Sequence, residues 1–193
     1  RQEIAVYNKT AGTGFLGGPR HRKGMGLSTI IYGCNVHAGG RRIDRSGAYL
    51  MMHQDGSVSV SVGLTDMGQG LIMMAAQMAA EALGIPLEKI SVNPIDTHLV
   101  PDSGPTVASR GTIMTGRPIM EAAKKLRAKI LKAAARKLSG KLELSNGWIY
   151  ARTDPKKKLS YQEIVNDLYA AGGQLVEVGW YCPPRRAYNF DTG

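Results

Sequence analysis

Apolar and polar residues alternate in the chain just before its first glycine-rich loop. Val58, Val60 and Val62 alternate with serines, and residues 48–52 form an apolar run upstream. Because side chains on a strand point to opposite faces in turn, this period of two predicts strands with one buried face. The Gln54-Asp-Gly56 segment between the runs predicts a turn, so the two runs should form a hairpin.

Three other segments show the helical period of about 3.6 residues. The first should begin near Gly68-Gln69-Gly70 and end at Gly84 and Pro86, and the last should begin at Ser160 and end at Gly172-Gly173. The predicted apolar stripes are Leu71, Met74, Met78 and Ala82 for the first helix, Ile119, Ala122, Ala123, Leu126, Ile130, Ala134 and Leu138 for the second, and Tyr161, Ile164, Val165 and Leu168 for the third.

Shorter signals complete an α+β fold, a mixed sheet with two or three helices packed on one face. Strands are predicted at residues 27–32, 90–92 and 175–181, and a hairpin is predicted at residues 142–144 and 148–150 around Asn146-Gly147. The run Lys156-Lys-Lys158 is expected to be a solvated loop. We expect a single domain over residues 1–193, with a flexible segment at 1–26 and the core at 27–193.

Two turn-rich loops precede the first two helices. We call residues 63–70 the Met-Gly-Gln loop and residues 94–110 the Ala-Ser loop. The first N–H groups of a helix have no partner within it, and Gly68 and Gly70 would let a ligand approach them. Gln69 adds an amide donor and an acceptor. This loop is therefore predicted to hold an anion or a polar ring edge, with an ordinary strand-to-helix turn as the alternative.

The Ala-Ser loop is kept irregular by Pro94, Pro101, Gly104 and Pro105 until Ser109. Three hydroxyl residues then gather where a helix begins: Thr106, Ser109 and Thr112. They are candidates for ligand contacts. In the alternative interpretation one of them is a helix N-cap and the others are solvated.

Together the two loops resemble the molybdenum hydroxylase family, the large subunit of xanthine dehydrogenase and aldehyde oxidase that binds molybdopterin. The matching residues are Asp66-Met-Gly-Gln-Gly70, Gln77, Ala80-Glu-Ala-Leu-Gly-Ile-Pro86, Asp96-Thr97, Pro101, Thr106-Val-Ala-Ser-Arg110 and Gly116. The resemblance is strongest over about a third of the chain. It implies cofactor contacts from Met67, Gly68, Gln69 and Gly70 on the pterin side, and from Thr106, Ala108, Ser109, Arg110 and Gly111 toward the metal.

For the complete enzyme, the resemblance implies hydroxylation of a purine or other N-heterocycle, or of an aldehyde, with oxygen from water. The implied cofactor is molybdenum-molybdopterin in its mononucleotide or dinucleotide form, with 2Fe-2S clusters and FAD on other domains or subunits. The implied partners are the domains or subunits that carry the 2Fe-2S clusters and FAD, and the remainder of the molybdopterin-binding subunit. Such an enzyme is expected to be cytoplasmic.

The catalytic base of the family lies in a Gly-Glu segment, and this chain contains no Gly-Glu pair. We therefore expect a fragment with no catalytic residue of its own and no activity alone. Cys34 and Cys182 are too few for an iron–sulfur cluster, which needs about four thiolates, and are expected to be free thiols, although a disulfide between them is open. The four histidines show no zinc-ligand spacing, so no metal is expected to be bound by protein side chains alone.

The net charge of +10 and the pI near 9.8 raise an alternative function, a basic nucleic-acid-binding or interaction module without catalysis. The basic residues are spread over the whole chain, and aromatic residues are not interleaved with them as stacking platforms. Specific nucleic-acid binding is therefore not expected. The apolar runs are too short to span a membrane, which predicts a soluble protein.

Overall fold

The computed structural model describes residues 26–30 and 43–184. The chain divides into two units, Arg1–Gly33 and Cys34–Gly193. In the first unit, residues 26–30 are exposed and form neither helix nor strand. The predicted strand at residues 27–32 is therefore wrong for its described part. Almost all of the segment predicted to be flexible, residues 1–26, lies outside the described residues.

The described part of the second unit contains seven strands and three α-helices. In chain order they are β1 (Ser46–Met52), β2 (Val58–Val62), α1 (Leu71–Leu83), β3 (Ile90–Val92), α2 (Gly111–Ala134), β4 (Leu142–Ser145), β5 (Trp148–Ala151), β6 (Asp154–Ser160), α3 (Tyr161–Ala170) and β7 (Val176–Tyr181), with a short 3-10 helix at Leu87–Lys89. Both predicted hairpins and all three predicted helices are confirmed. The strand signals at residues 90–92 and 175–181 are confirmed as β3 and β7.

The main sheet is mixed and has the strand order β3-β2-β1-β7. β1 runs antiparallel to β2 and β7, whereas β2 and β3 are parallel. The alternation along β2 places Val58, Val60 and Val62 in the core beside Leu50 and Met52 of β1. The predicted period of two therefore identified the buried face correctly.

The helices cover one face of this sheet, as expected for the predicted α+β class. α2 packs on β1 and β7, and it approaches so closely at Gly179 that a Cβ there would lie 1.8 Å from the Pro118 carbonyl oxygen. α1 packs beside α2, where Gly116 faces the sulfur of Met78. The opposite face of the sheet carries exposed apolar side chains, namely Tyr49, Met51, Val176, Val178 and Trp180.

The buried side of α1 differs from the predicted stripe. Leu71 is buried, but Met74, Met78 and Ala82 are only half-buried, and the closest packing is made by Ala75, Ala79 and Leu83. Small alanine side chains let α1 approach the sheet and α2 closely, so the helix turns this face inward rather than its methionines. The predicted stripe of α2 is confirmed from Ile119 to Ala134, and its seventh residue, Leu138, is buried just beyond the end of the helix.

A second sheet, with the order β4-β5-β6, was not predicted. The lysine run at 156–158, interpreted from sequence as a solvated loop, belongs to strand β6. Its lysines are exposed, and the pairing with β5 is interrupted by an irregularity beside Tyr150 and Ala151. Lysine and proline are common on edge strands, where they hinder pairing with other chains, so exposure and strand structure are compatible here.

Within the residues that the structure describes, none of the helices has the length and apolar character needed to cross a bilayer.

Candidate functional site

The Met-Gly-Gln loop and the Ala-Ser loop meet at one cavity of about 530 Å³. It is lined by Met67, Gln69, Gly70, Leu71, Met74 and residues 106–112. Eight of the nine predicted cofactor-contact residues are in this lining, and the ninth, Gly68, lies between two of them. A larger hollow of about 710 Å³, between the end of α1 and the β4–β5 hairpin, includes none of them. The chain thus brings together two segments that are far apart in sequence.

The start of α1 is closed by a carboxylate from its own loop. Asp66 Oδ1 accepts hydrogen bonds from the N–H groups of Gly68 (2.9 Å) and Gly70 (3.2 Å), and Oδ2 accepts one from Ile72 (3.0 Å). These bonds, that from Ile72 first and that from Gly68 next, lower the pKa of Asp66 below its ordinary value of 3.8. Asp66 thus already accepts one N–H of the first turn of α1, that of Ile72, and two N–H groups of the loop before it.

Gln69 is also engaged within the loop. Its Oε1 accepts the N–H of Met67 at 2.5 Å, and its Nε2 donates to the carbonyl oxygen of Thr65 at 3.0 Å. The amide therefore holds the loop in shape. A ligand that used this side chain would have to replace one of these two local bonds, both of which are exposed to solvent.

The glycines of this loop leave its cavity side open. Gly68 and Gly70 have φ angles of +101° and +80°, and a Cβ at either position would meet no atom within 4 Å. Their backbone conformation is one that glycine adopts readily. The same absence of side chains leaves room for a ligand to reach the backbone.

The start of α2 has a different chemistry. Its N-cap residue is Arg110, which makes no side-chain capping bond, and no acidic residue lies in the first turn. The N-cap position is therefore held by Arg110 rather than by Ser109 or Thr112. Thr106 instead links the two loops, because its Oγ1 accepts the N–H of Thr65 at 2.8 Å. The first N–H groups of an α-helix lack acceptors within the helix, so those of α2 are candidate donors at the cavity.

Two consecutive residues before α2 have left-handed backbone conformations. Ala108 and Ser109 both have φ of +51°, which is uncommon for residues with a Cβ. Each such residue costs on the order of 1–2 kcal/mol relative to right-handed geometry. Strain of this kind persists where the surroundings hold it, and it is frequent at ligand sites. Here both residues line the cavity.

The Ala-Ser loop is held against the ends of β1 and β2. A Cβ at Gly63 would lie 2.0 Å from the Pro101 carbonyl oxygen, and one at Gly47 would lie 2.8 Å from Pro101 Cβ. The buried hydroxyl of Ser46 donates to that of Ser103 at 2.8 Å. Glycine is needed at residue 63 because the chain passes directly over it.

The side chain of Arg110 is buried rather than directed to solvent. It is fully enclosed, and its Nε lies 3.1 Å from Oδ1 of Asp44, which is also buried. Arg110 belongs to the cavity lining, but its side chain is turned to Asp44. Sequence reasoning named Arg110 but missed Asp44 and the capping role of Asp66. Asp66 had a readable signal, since an Asp shortly before a helix start commonly accepts its first N–H groups.

The other titratable residues that the structure describes do not cluster as metal ligands would. His98 is exposed, with Nδ1 3.2 Å from Asp96 Oδ1. Cys182 is a free thiol, and Cys34 lies outside the described residues. In residues 26–30 and 43–184, no group of three or more His, Cys, Asp or Glu side chains could hold a metal ion.

The chain matches a known family over nearly its whole length. A family model described as "Molybdopterin cofactor-binding domain" covers residues 3–193. Xanthine dehydrogenase from Drosophila pseudoobscura pseudoobscura is 31% identical over 193 residues, which are all of this chain and 12% of that protein. The putative xanthine dehydrogenase molybdenum-binding subunit XdhA of Escherichia coli K12 is 32% identical over 162 residues, 80% of this chain and 21% of that subunit.

Solved structures agree with these matches. CO dehydrogenase from Oligotropha carboxidovorans is similar with a TM-score of 0.66 and 29% identity, over 74% of this chain and 19% of that chain. Quinoline 2-oxidoreductase from Pseudomonas putida 86 has the same TM-score of 0.66 at 24% identity, over 72% and 19%, and supports the fold alone. This chain thus spans only a small part of each of these proteins.

Proposed function

The chain belongs to the molybdopterin cofactor-binding domain family, and from that premise we propose that the cavity between the Met-Gly-Gln loop and the Ala-Ser loop holds part of a molybdopterin cofactor. The observation that carries the proposal is the meeting of these loops, separated by over 20 residues in sequence, at one cavity of about 530 Å³. Cavities of a few hundred Å³ suit ligands of this size.

The residues present fit such a group. The start of α2, where the side chain of the N-cap residue Arg110 makes no capping bond, suits an anionic or strongly accepting edge of the cofactor, since a helix start favours negative charge. Gly68 and Gly70 leave open space for a ring system to approach the backbone. Met67 and Met74 offer polarizable apolar surface beside it. In this assignment Met67, Gly68, Gln69 and Gly70 contact one side of the cofactor.

The opposite side is assigned to the end of the Ala-Ser loop. Thr106 fixes the distance between the loops, Ala108 and Ser109 present their left-handed backbone to the cofactor, and Gly111 donates from the first turn of α2. Arg110 contributes through its backbone. When bound, the molybdopterin centre would supply the redox chemistry of hydroxylation. The residues of this chain would bind and orient it and exclude water from one of its sides.

For the whole protein we propose a molybdenum hydroxylase of the xanthine dehydrogenase type. Its substrate would be an N-heterocycle such as a purine, or an aldehyde, and the oxygen introduced would come from water. Electrons would leave through 2Fe-2S clusters and FAD on other domains or subunits. The whole protein would be located in the cytoplasm. The glutamate base would come from the remainder of the cofactor-binding subunit, so this chain alone would hold the cofactor weakly and have no activity.

A nucleic-acid-binding module is not supported. The family model and the relatives named above concern molybdopterin binding and xanthine dehydrogenase. The half-exposed ring of Trp148 is engaged by Lys158, whose Nζ lies 4.2 Å from the ring centroid. Positive charge then gives only weak attraction to nucleic acid that depends on salt.

The test is substitution of Gln69 by alanine in the full-length protein that carries this chain. Gln69→Ala removes the two bonds that hold the Met-Gly-Gln loop in shape beside the cavity. Two such bonds contribute on the order of 1–3 kcal/mol, so molybdenum content or turnover should fall about tenfold. Lys157→Ala, on the exposed edge strand β6, is the matched control and should change neither. Unchanged molybdenum occupancy and turnover in Gln69→Ala would refute the assignment.

A further inference from the structure

Arg110 joins two distant segments of the chain at the end of the Ala-Ser loop. Its Nη1 donates to the carbonyl oxygens of Ser103 (2.9 Å) and Pro105 (2.6 Å), and its Nη2 donates to those of Ile43 (3.1 Å) and Arg45 (3.2 Å). One planar guanidinium therefore satisfies four main-chain acceptors. These acceptors belong to the loop itself and to the segment that enters β1.

The charge of this guanidinium is balanced by one buried carboxylate. The Nε atom lies 3.1 Å from Asp44 Oδ1, and the side chains are 0% and 1% exposed. A buried ion pair adds little net stability over an apolar pair of the same shape, because both charges lose their hydration. Its value lies elsewhere, in the single geometry that a planar fork with fixed donor directions imposes on its partners.

The strained part of the loop directly precedes Arg110 in the chain. Arg110 follows Ala108 and Ser109, the two left-handed residues at the cavity. Its backbone N–H donates to Val107 (3.2 Å), and its carbonyl accepts from Met114 (2.9 Å) in α2. The residue is thus fixed at its backbone by the helix and at its side chain by residues 43–45 and 103–105. A Cβ at Gly104 would lie 3.3 Å from Nη1, so the loop wraps closely around the guanidinium.

We propose that Arg110, paired with Asp44, is a positioning residue for the cofactor: it holds the Ala108-Ser109 turn in its left-handed conformation without touching the cofactor through its side chain. This inference rests on the proposed function of the cavity. It assigns to Arg110 a role different from the direct contact that the family resemblance implies. Asp44, which carries no motif in the sequence, becomes part of the site.

The test uses the full-length protein with three changes, Arg110→Met, Arg110→Lys and the double change Asp44→Leu with Arg110→Met. For each variant, molybdenum per polypeptide is measured by elemental analysis, and amide hydrogen exchange is measured over residues 103–112. Melting temperature is recorded as well. The double change removes both charges of the ion pair, so it should recover most of the stability lost in Arg110→Met, which removes only one of them.

If Arg110 is a positioning residue, the melting temperature and the geometry of the cavity should respond differently to these changes. In the double variant the melting temperature should return toward that of the unchanged protein, while exchange over residues 103–112 stays at least about tenfold faster and molybdenum content stays about tenfold lower, the size of effect that outer residues have at metal sites. Arg110→Lys keeps the charge but lacks the planar fork. Its molybdenum content and its exchange rate should therefore lie between those of the unchanged protein and those of Arg110→Met.

Arg127→Met is the matched control. Arg127 also donates to main-chain carbonyls, those of Ala82 and Leu83, but it lines the other hollow. It should leave molybdenum content unchanged. Recovery of both loop protection and molybdenum in the double variant would overturn the inference, as would normal values in Arg110→Met. Absence of molybdenum from the unchanged protein would instead refute the proposed function, and loop exchange would still decide the role of Arg110.

Discussion

The starts of α1 and α2 face the same cavity, but their N–H groups are satisfied differently. At α1 the carboxylate of Asp66 takes the N–H groups of Gly68, Gly70 and Ile72. At α2 the N-cap Arg110 makes no side-chain capping bond, and the first turn has no acid. At α1 a carboxylate from the preceding loop thus accepts an N–H of the first turn, whereas at α2 the N-cap side chain is turned to Asp44 instead. Two similar-looking loops therefore contribute differently, one as shaped and open backbone and the other as a source of hydrogen bonds.

The two loops also differ in what holds them. The Met-Gly-Gln loop is kept in shape by its own side chains, chiefly Asp66 and Gln69, which bond within the loop. The Ala-Ser loop is held from outside, by Arg110 with Asp44 and by close packing of Pro101 over Gly63. A change in the first loop should therefore have local effects, and a change in the supports of the second should be felt across the site.

The largest effect is expected from a change in the packing of Pro101 over Gly63, which holds the Ala-Ser loop from outside. Gly63→Ala would place a Cβ 2.0 Å from the Pro101 carbonyl oxygen. Overpacking of this kind costs about 1–3 kcal/mol of unfolding free energy, and the Ala-Ser loop should be displaced with it. Chemical denaturation of the full-length protein measures the loss. Gly26→Ala, where a Cβ meets nothing within 4 Å, is the control and should cost almost nothing. Equal stability of the two variants would show that the close passage over Gly63 does not constrain the loop.

A smaller and pH-dependent effect on stability is expected from a change at Asp66, which holds the Met-Gly-Gln loop from within. The main-chain bonds from Ile72 and Gly68 lower the pKa of Asp66 in the folded protein below 3.8. Its stabilisation is therefore fully present above pH 3.8 and disappears as the pH falls through the lower folded-state pKa. Asp66→Asn should reduce the melting temperature at neutral pH, and the difference from the unchanged protein should shrink below pH 3.8.

Asp154→Asn is the control for this pH series. Asp154 is an exposed carboxylate at the start of β6. Its replacement should leave the melting temperature unchanged throughout. A difference between Asp66→Asn and the unchanged protein that stays constant from pH 7 to pH 2 would show that the carboxylate does not cap α1.

Much of the fold could be predicted because its signals are local. The alternation around Val58 to Val62, the Asn146-Gly147 turn and the apolar stripe of α2 each express one element in a few residues. β6 was missed because Pro155 and three lysines give no alternation, and its strand structure depends on pairing with β5. The inward face of α1 was misplaced because alanines are weak markers of burial compared with methionines.

The candidate site could likewise be predicted from sequence only where its signals are local. The glycines and hydroxyls that line the cavity could be found from short motifs, since they lie on the two loops themselves. The partnership of Arg110 with Asp44 could not, because it joins residues 66 positions apart and buries two charges that sequence alone would place in solvent. Which N–H groups are already occupied likewise depends on where the Asp66 carboxylate points.

The most direct test of the comparison places a new carboxylate at each helix start and measures molybdenum per polypeptide in the full-length protein. Thr112 and Met73 are both exposed and lie in the first turns of α2 and α1. A negative charge there stabilises a helix by about 0.3–1 kcal/mol, so neither change should harm folding. Thr112→Asp should lower molybdenum content about tenfold by competing for the donors of α2, whereas Met73→Asp should change it little. Equal losses in the two variants, or a loss confined to Met73→Asp, would contradict the claim that α2 supplies the cofactor-binding N–H groups.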